Sequence, residues 1–432
     1  MHRPVLVGMV LAAALHIAVA ATPDVWRQTA PLLTPRTGAG VIEVGGVIYA
    51  IGGVDGHRFL SSSEFSAIRK DGSLARWRDG SALTEARGFF GVAAHNGFLY
   101  AVGGGNGPSG HHLLRSVERA AIGADGSLGP WRREAQSLNF PRRCAKVVAV
   151  GDALYAIGGF GGTLFDSVER AHIDADGSLG PWQLLGDKLT MPRYIHAEAE
   201  VNGRLYVLGG HAQQGGTGEA AVEYAAVKDG TLGTWQGSVP LAQGRYGLAA
   251  VSAGDYLYAM GGMNGASFTD AIEQTHVDAD GALGVWREAA ATLPTPLADF
   301  GAVVYRDRLY LVGGTGPRGY FDNVFMARIG ADGELAALGN GQRQTAPAPV
   351  NRVELPNAGV VVQALEGGTY IYLQVDTGHG KEWLAAAHAD ITAGDHIRYS
   401  DGIWMRDFFS KYLQRRFDAI RFVGNLEKVK PK

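Results

Sequence analysis

Five arginines share one register. Arg36, Arg87, Arg142, Arg193 and Arg245 each stand sixteen residues before the first glycine of a Gly-Gly pair, and Leu297 takes the sixth place. Guanidinium forks that converge on one opening would suit a carboxylate, sulfate or phosphate. The other reading gives each arginine a local duty, bonding backbone carbonyls so that it locks its own repeat. The segments after the Gly-Gly pairs add further polar or aromatic candidates: His57, Arg58, Asn106, His111, His112, His211, Asn264, Arg318 and Tyr320. His196, three residues past Arg193, either faces the same opening or is a core histidine. An acid/base pair working on a sugar could be drawn from Glu85, Glu198, Asp299 and His196.

Other chemistry finds little support. His111-His112 are adjacent, with no carboxylate at chelating spacing, so no metal site is expected. Asp174-Ala-Asp-Gly177 and Asp278-Ala-Asp-Gly281 open like calcium loops, but the following residues supply neither the later oxygen ligands nor the closing glutamate. They read as hairpin turns. The runs Gly103–Gly105 and Gly158–Gly162 follow strands and open no helix, so they fail as phosphate cradles. No nucleophile elbow of the Gly-x-Ser-x-Gly kind is present, and no cofactor is expected.

The elements that must position these residues are strands. Val47–Gly53 (Val-Ile-Tyr-Ala-Ile-Gly-Gly) returns as Phe98–Gly104, Ala153–Gly159, Arg204–Gly210, Tyr256–Gly262 and Arg308–Gly314. With second glycines at 53, 104, 159, 210, 262 and 314, the period is 51 to 55 residues, the length of a four-stranded propeller blade. In each repeat a short apolar strand, a tight turn and the Tyr-x-x-Gly-Gly strand are followed by a loop of variable length. An alternating strand (Val168–Ile173 in the third repeat), an Asp-Gly turn and a strand running to a tryptophan complete the unit. Antiparallel pairing brings the arginines and the post-glycine loops to one face, and variable loops on a rigid scaffold are where recognition usually resides. The tryptophans are Trp77, Trp131, Trp182, Trp235 and Trp286; the sixth repeat lacks one, while Trp26 stands 51 residues before Trp77. The Val25-Trp26 segment is therefore expected to complete the sixth blade and close the ring, leaving no unpaired edges around it.

Four segments follow from composition. Residues 1–20 carry Arg3, an apolar run over Val5–Val19 and Ala18-Val-Ala20, the pattern of a secretory signal cleaved before Ala21; export to the periplasm or medium is expected. Residues 21–340 hold the repeats, 341–352 read as a linker, and 353–432 alternate in strand fashion with a possible short helix over Asp407–Leu413. The last part fits a small OB-like barrel, and a small sandwich is nearly as compatible. A net charge of −3 over 432 residues gives no whole-chain attraction for nucleic acid, and the basic tail from Lys411 to Lys432 reads as a solvated face. One cysteine, Cys144, excludes an internal disulfide.

The six Tyr-x-x-Gly-Gly strands in register with their tryptophans, together with Pro35-Arg36, Pro141-Arg142 and Pro192-Arg193, resemble the kelch-repeat family over residues 21–340. The resemblance implies a six-bladed β-propeller. Members of that family serve as binding platforms, as sialic-acid mutarotases and as copper oxidases. The copper chemistry would need a tyrosine–cysteine partner and two histidines, of which Cys144 supplies one member. The C-terminal part, from Gly368-Thr-Tyr-Ile-Tyr372 through Trp383 and Arg416-Phe-Asp418 to Phe422-Val423, resembles small exported bacterial proteins with an OB-like fold. The expectation is an all-β protein, exported and non-catalytic. It would offer a loop face and an arginine ring to a protein or an acidic glycan, with a sugar-acid mutarotase as the alternative.

Overall fold

The computed structural model describes residues 25–107, 110–212, 217–265, 267–336, 351–352, 355–367, 370–387, 389–400, 402–410, 413–423 and 426–429. The expected signal segment and most of the expected linker lie outside the described residues. The described chain is all-β, with strands arranged as a six-bladed propeller followed by one further sheet.

Blade 1 consists of Gly40–Val44, Val47–Ile51, Ser63–Ala67 and Arg78–Asp79, paired antiparallel in that order. Blades 2 to 5 repeat the pattern, with innermost strands Gly91–His95, Lys146–Val150, Ala197–Val201 and Ala249–Ala253. Each outer strand begins just after its tryptophan (Gln183–Leu184 after Trp182), slightly later than the repeat suggested. Blade 6 takes Gly301–Tyr305, Arg308–Val312 and Val324–Ile329 from its own repeat and Arg27–Gln28 from the N-terminal side, with Arg27 opposite Met326 and Gln28 opposite Phe325. The ring is closed by that strand. Trp26 is buried with the other five tryptophans and donates its indole N–H to the Thr292 carbonyl at 2.7 Å.

The core lies in the seams between blades. The seam of blades 6 and 1, for example, joins Ile48, Leu74 and Trp77 to Val303, Tyr310 and Met326. The repeated tyrosines fasten these seams. Tyr49, Tyr100, Tyr258 and Tyr310 each donate a hydroxyl, over 2.7–2.8 Å, to the glycine carbonyl of the next blade's Asp-Gly turn (Gly126, Gly177, Gly333 and Gly72). Tyr206 does the same to Gly281. In blade 3 the Tyr155 hydroxyl instead accepts from Arg170 Nε at 3.2 Å.

Beyond the propeller, Asn351–Arg352 pairs with Gly319–Tyr320, a hairpin strand of the blade 6 loop. The C-terminal residues form a seven-stranded sheet in which Lys381–Ala387 runs parallel to Arg415–Val423 and the other pairings are antiparallel. Among the described residues, no helix forms over the expected stretch 407–413. Strand Gly402–Ser410 runs through its first half, with Phe408 opposite Phe417, so cross-strand pairing overrides the local pattern. Among the described residues, no helix is long and apolar enough to cross a membrane.

Candidate functional site

The five arginines lie inside their blades, at most 1% exposed. Each Nη1 donates to the carbonyl of the first glycine of its pair, Gly52, Gly103, Gly158, Gly209 or Gly261, at 2.7–3.3 Å. Each Nη2 meets a buried glutamate two strands away: Glu64, Glu118, Glu169, Glu223 or Glu273. Those carboxylates also accept the backbone N–H three residues before the arginine, at Leu33, Thr84, Asn139, Thr190 and Ala242. A buried charge needs a partner, and here the blade itself supplies it. The expected arginine ring facing a ligand is corrected accordingly: the guanidiniums are spent within the blades.

Blade 6 replaces the whole unit. Leu297 stands for the arginine, Phe325 for the glutamate, and Pro294, which has no N–H to satisfy, for the donor three residues upstream. Leu297 and Phe325 are both buried in one apolar cluster. Sequence reasoning found Leu297 and missed its two companions, which become linked only once the strands are paired.

Two residues past each arginine register position, the chain narrows the central channel to a neck. Gly38, Phe89, Cys144, Ile195, Gly247 and Asp299 all have left-handed backbone, with φ between 51° and 64°. Their backbones form hydrogen bonds around the ring. Cys144 N–H donates to Phe89 O, Phe89 to Gly38, Gly38 to Asp299, Asp299 to Gly247 and Gly247 to Ile195, over 2.6–2.9 Å. Left-handed backbone costs a non-glycine residue about 1–3 kcal/mol, so four such residues in one ring require the support of all six blades. The register carries Gly, Phe, Cys, Ile, Gly and Asp, so no shared residue type could have revealed it. The neck encloses about 80 Å³, walled also by His196 and Lys146. The wider channel beyond it holds about 360 Å³ between the inner strands, with an ion pair of Lys146 and Glu198 at 3.3 Å.

Burial governs the titratable groups here. It pushes the Asp299 carboxyl up to about 6, with Lys146 pulling the other way. It raises the Cys144 thiol to about 12, and it holds His196 well below the usual histidine range, helped by Arg193 and Lys146. His196 occupies the inter-blade slot filled by Phe90, Leu248 and Phe300 elsewhere: a Cβ on the preceding blade's Gly52, Gly209 or Gly261 would meet those side chains, as one on Gly158 would meet His196 Cε1 at 3.0 Å. Among the described residues, neither ring nitrogen has a partner. It is a core histidine, and an unsatisfied one. Glu85 lies apart from the channel, near Arg87, Ser116 and Asn106.

One register earlier is the mouth. Thr37, Gly88, Arg143, Tyr194, Tyr246 and Ala298 each bridge to the residue after their own Gly-Gly pair, which places the variable loops on this face. Over blades 3 to 5 the mouth is an aromatic band. Phe160 lies 5.8 Å from Tyr194, Tyr194 5.5 Å from His211, and His211 3.7 Å from Tyr246, between ring centroids. Arg143 sits over Phe160 at 5.3 Å. His211 is buried; burial lowers it to about 4, against a hydrogen bond to the Thr217 backbone, and among the described residues its Nδ1 has no partner. Tyr370 of the C-terminal sheet is near enough to raise the Tyr194 and Tyr246 phenols further.

A Kelch motif model matches residues 35–64 and 141–170, the first halves of blades 1 and 3. The chain carries Kelch motifs on a six-bladed β-propeller. It is 34% identical over 82 residues to Kelch-like protein 13 of Mus musculus, covering 19% of this chain and 12% of that protein. It is 29% identical over 221 residues to Kelch-like protein 35 of the same organism, covering 50% and 35%. The chain thus matches about a third or less of the length of these relatives. The solved structure of YjhT superposes with a TM-score of 0.58 at 15% identity, covering 71% of this chain and 99% of that one, a likeness of fold.

The remaining loop candidates of the propeller are dispersed. His57, Arg58, His111, His112, Asn264 and Arg318 are exposed. The His57 backbone N–H donates to Asp55 Oδ1 at 2.9 Å, and the His112 Nδ1 pairs with Asn106 Oδ1 at 2.6 Å. Among the described residues, no group of three or more His, Cys, Asp or Glu could hold a metal ion. The structure brings His211 into the mouth and His196 to the neck. Arg143, Tyr194 and Tyr246 were missed, because their register also holds Thr, Gly and Ala.

Proposed function

We propose that this kelch propeller is an exported, non-catalytic binding protein that offers its loop face to a protein or a glycan. The observation that carries the reading is the mostly buried aromatic band over a neck whose six residues are linked by five backbone hydrogen bonds. Flat rings with one polar edge, held by a rigid scaffold, suit both protein hot spots and sugar faces. The acidic character once assigned to the partner rested on the arginine ring and goes with it. The C-terminal sheet reads as an OB-like accessory module, supported by its parallel strand pair, and the apolar run over residues 5–19 supports export. A glycan array and affinity capture of exported proteins, run with wild type and with the Tyr194→Ala/Tyr246→Ala double variant, test the reading. Two aromatic contacts at about 0.5–1.5 kcal/mol each beyond area burial predict binding weaker by roughly fivefold to a hundredfold; equal binding by the folded double variant would refute it.

One observation favours a mutarotase instead. Asp299, raised by burial to about 6, could carry protons near neutral pH, and the channel is large enough for a small sugar. Anomer exchange followed by NMR over acidic and neutral sugars decides this, and a rate unchanged in Asp299→Asn rejects it.

A further inference from the structure

Asp299 sits at the floor of the mouth with its carboxylate above Gly247, where an added Cβ would lie 3.1 Å from Oδ1. No hydrogen bond or ion pair to that carboxylate is formed among the described residues, and the nearby cation, Lys146, which lines both the neck and the channel beyond it, is engaged by Glu198. Three phenols share its face: Tyr194 and Tyr246 hold the mouth register in blades 4 and 5, and Tyr320 pairs with Thr315, the bridge partner of Ala298 next to Asp299. The charge of Asp299 is felt by Tyr194, Tyr246 and Tyr320, from three successive blades, and by the Cys144 thiol across the neck. A carboxylate in such a place is costly until a positive group compensates it. Aromatic faces attract the same kind of group, more strongly once it sheds water. The neck, at about 80 Å³, admits the tip of a side chain and little more. Arg143 belongs to blade 3, opposite blade 6 in a ring of six, so it disfavours a second cation across the mouth.

We propose that the mouth is a binding site for a single ammonium group, that of a lysine side chain on a protein partner, with Asp299 as its counter-charge and Tyr194, Tyr246 and Tyr320 as its walls. The inference rests on the loop-face reading of function and narrows it to one chemistry. Binding such a group draws Asp299 towards ionisation, so affinity for the cation falls as pH drops through 6, and protons are released on binding near that pH.

The test is calorimetry on the full chain with a blocked lysine (Nα-acetyl, C-terminal methylamide) and its Nε-acetylated form as probes, at pH 7.5 and 5.0. The expected result is binding of the ammonium form that weakens about tenfold at pH 5.0 and about tenfold with Asp299→Asn. The Nε-acetylated probe should bind no better than that variant does. Asparagine tolerates left-handed backbone, and Asp299→Asn should melt no lower than wild type at pH 7.5, which verifies that it folds. No binding of the ammonium probe, equal binding of the acetylated one, or full affinity in Asp299→Asn each overturns the proposal. If the tyrosine double variant loses a captured partner while Asp299→Asn keeps it, the loop-face reading stands and the ammonium site falls.

Discussion

His196→Leu should stabilise the protein. The imidazole is 1% exposed and neither nitrogen has a partner, in a slot that Leu248 fills between blades 4 and 5. A buried polar group left unsatisfied costs about 1–3 kcal/mol, and leucine removes that cost while keeping the slot filled, so a gain of about 2 kcal/mol is expected near pH 7.5. Unfolding entropy of about 2.1 cal/mol/K per residue, over roughly 300 propeller residues, converts this to about 3 °C in Tm. The gap should then widen in acid. The folded state holds His196 neutral, well below the ordinary value of 6.5, so below that pH the unfolded chain takes up a proton that the folded chain refuses. Wild-type stability therefore falls with pH through this group, and at pH 5.0, about 1.5 units below 6.5, the added loss is about 2 kcal/mol. The leucine variant is spared it, so the difference in Tm should roughly double. Melting curves at pH 7.5 and 5.0 measure both quantities. A variant that melts lower than wild type at pH 7.5, or a difference that stays flat with pH, would show that His196 has a partner or a charge this reasoning denies it.

Two further outcomes are expected. Trp26→Ala should destabilise the ring by about 3–5 kcal/mol, seen as a Tm drop of several degrees, because it empties the closing strand's anchor in the blade 5–6 seam; a drop no larger than that of an exposed-site change would contradict closure by Arg27–Gln28. Arg142→Leu alone strands Glu169 and should cost about 3–5 kcal/mol, whereas Arg142→Leu/Glu169→Phe/Asn139→Pro, which copies blade 6, should recover at least half of that loss in chemical denaturation. A triple variant no better than the single one would show that the two kinds of blade are not interchangeable.

Closure was legible because Trp26 is a chemically unmistakable residue at the right period, and register alone determines where it must pack. The arginines were equally regular, yet spacing gives position along a strand and says nothing of which neighbour neutralises the charge. Their glutamates were visible in the sequence as part of Val-Glu strands; the link between the two needed the first and third strands to be aligned through the second, which pairs with both. The neck escaped because its shared property is a backbone angle adopted by Gly, Phe, Cys, Ile and Asp alike. Asp299 and His196 could be named as candidates, but only the structure separates them: one faces the mouth, and the other sits in a slot meant for an apolar side chain. The supposed helix over 407–413 failed for a different reason, since a strand that finds a partner at Arg415–Val423 overrides a short local pattern.

Blade 6 then bears on why the other five blades keep a buried ion pair at all. Leucine, phenylalanine and proline do the same packing in the same fold, in keeping with the general finding that a buried pair is no more stabilising than a well-packed apolar replacement. The pair's distinctive contribution is to the connection between blades, because its glutamate also accepts backbone N–H groups from the segment entering the blade. That segment leads directly to the register positions that form the mouth and the neck. Blade 6 rigidifies the same segment with Pro294 and Pro296 instead of hydrogen bonds. Two unlike devices thus hold one stretch of backbone still, and in blade 6 that stretch carries Asp299.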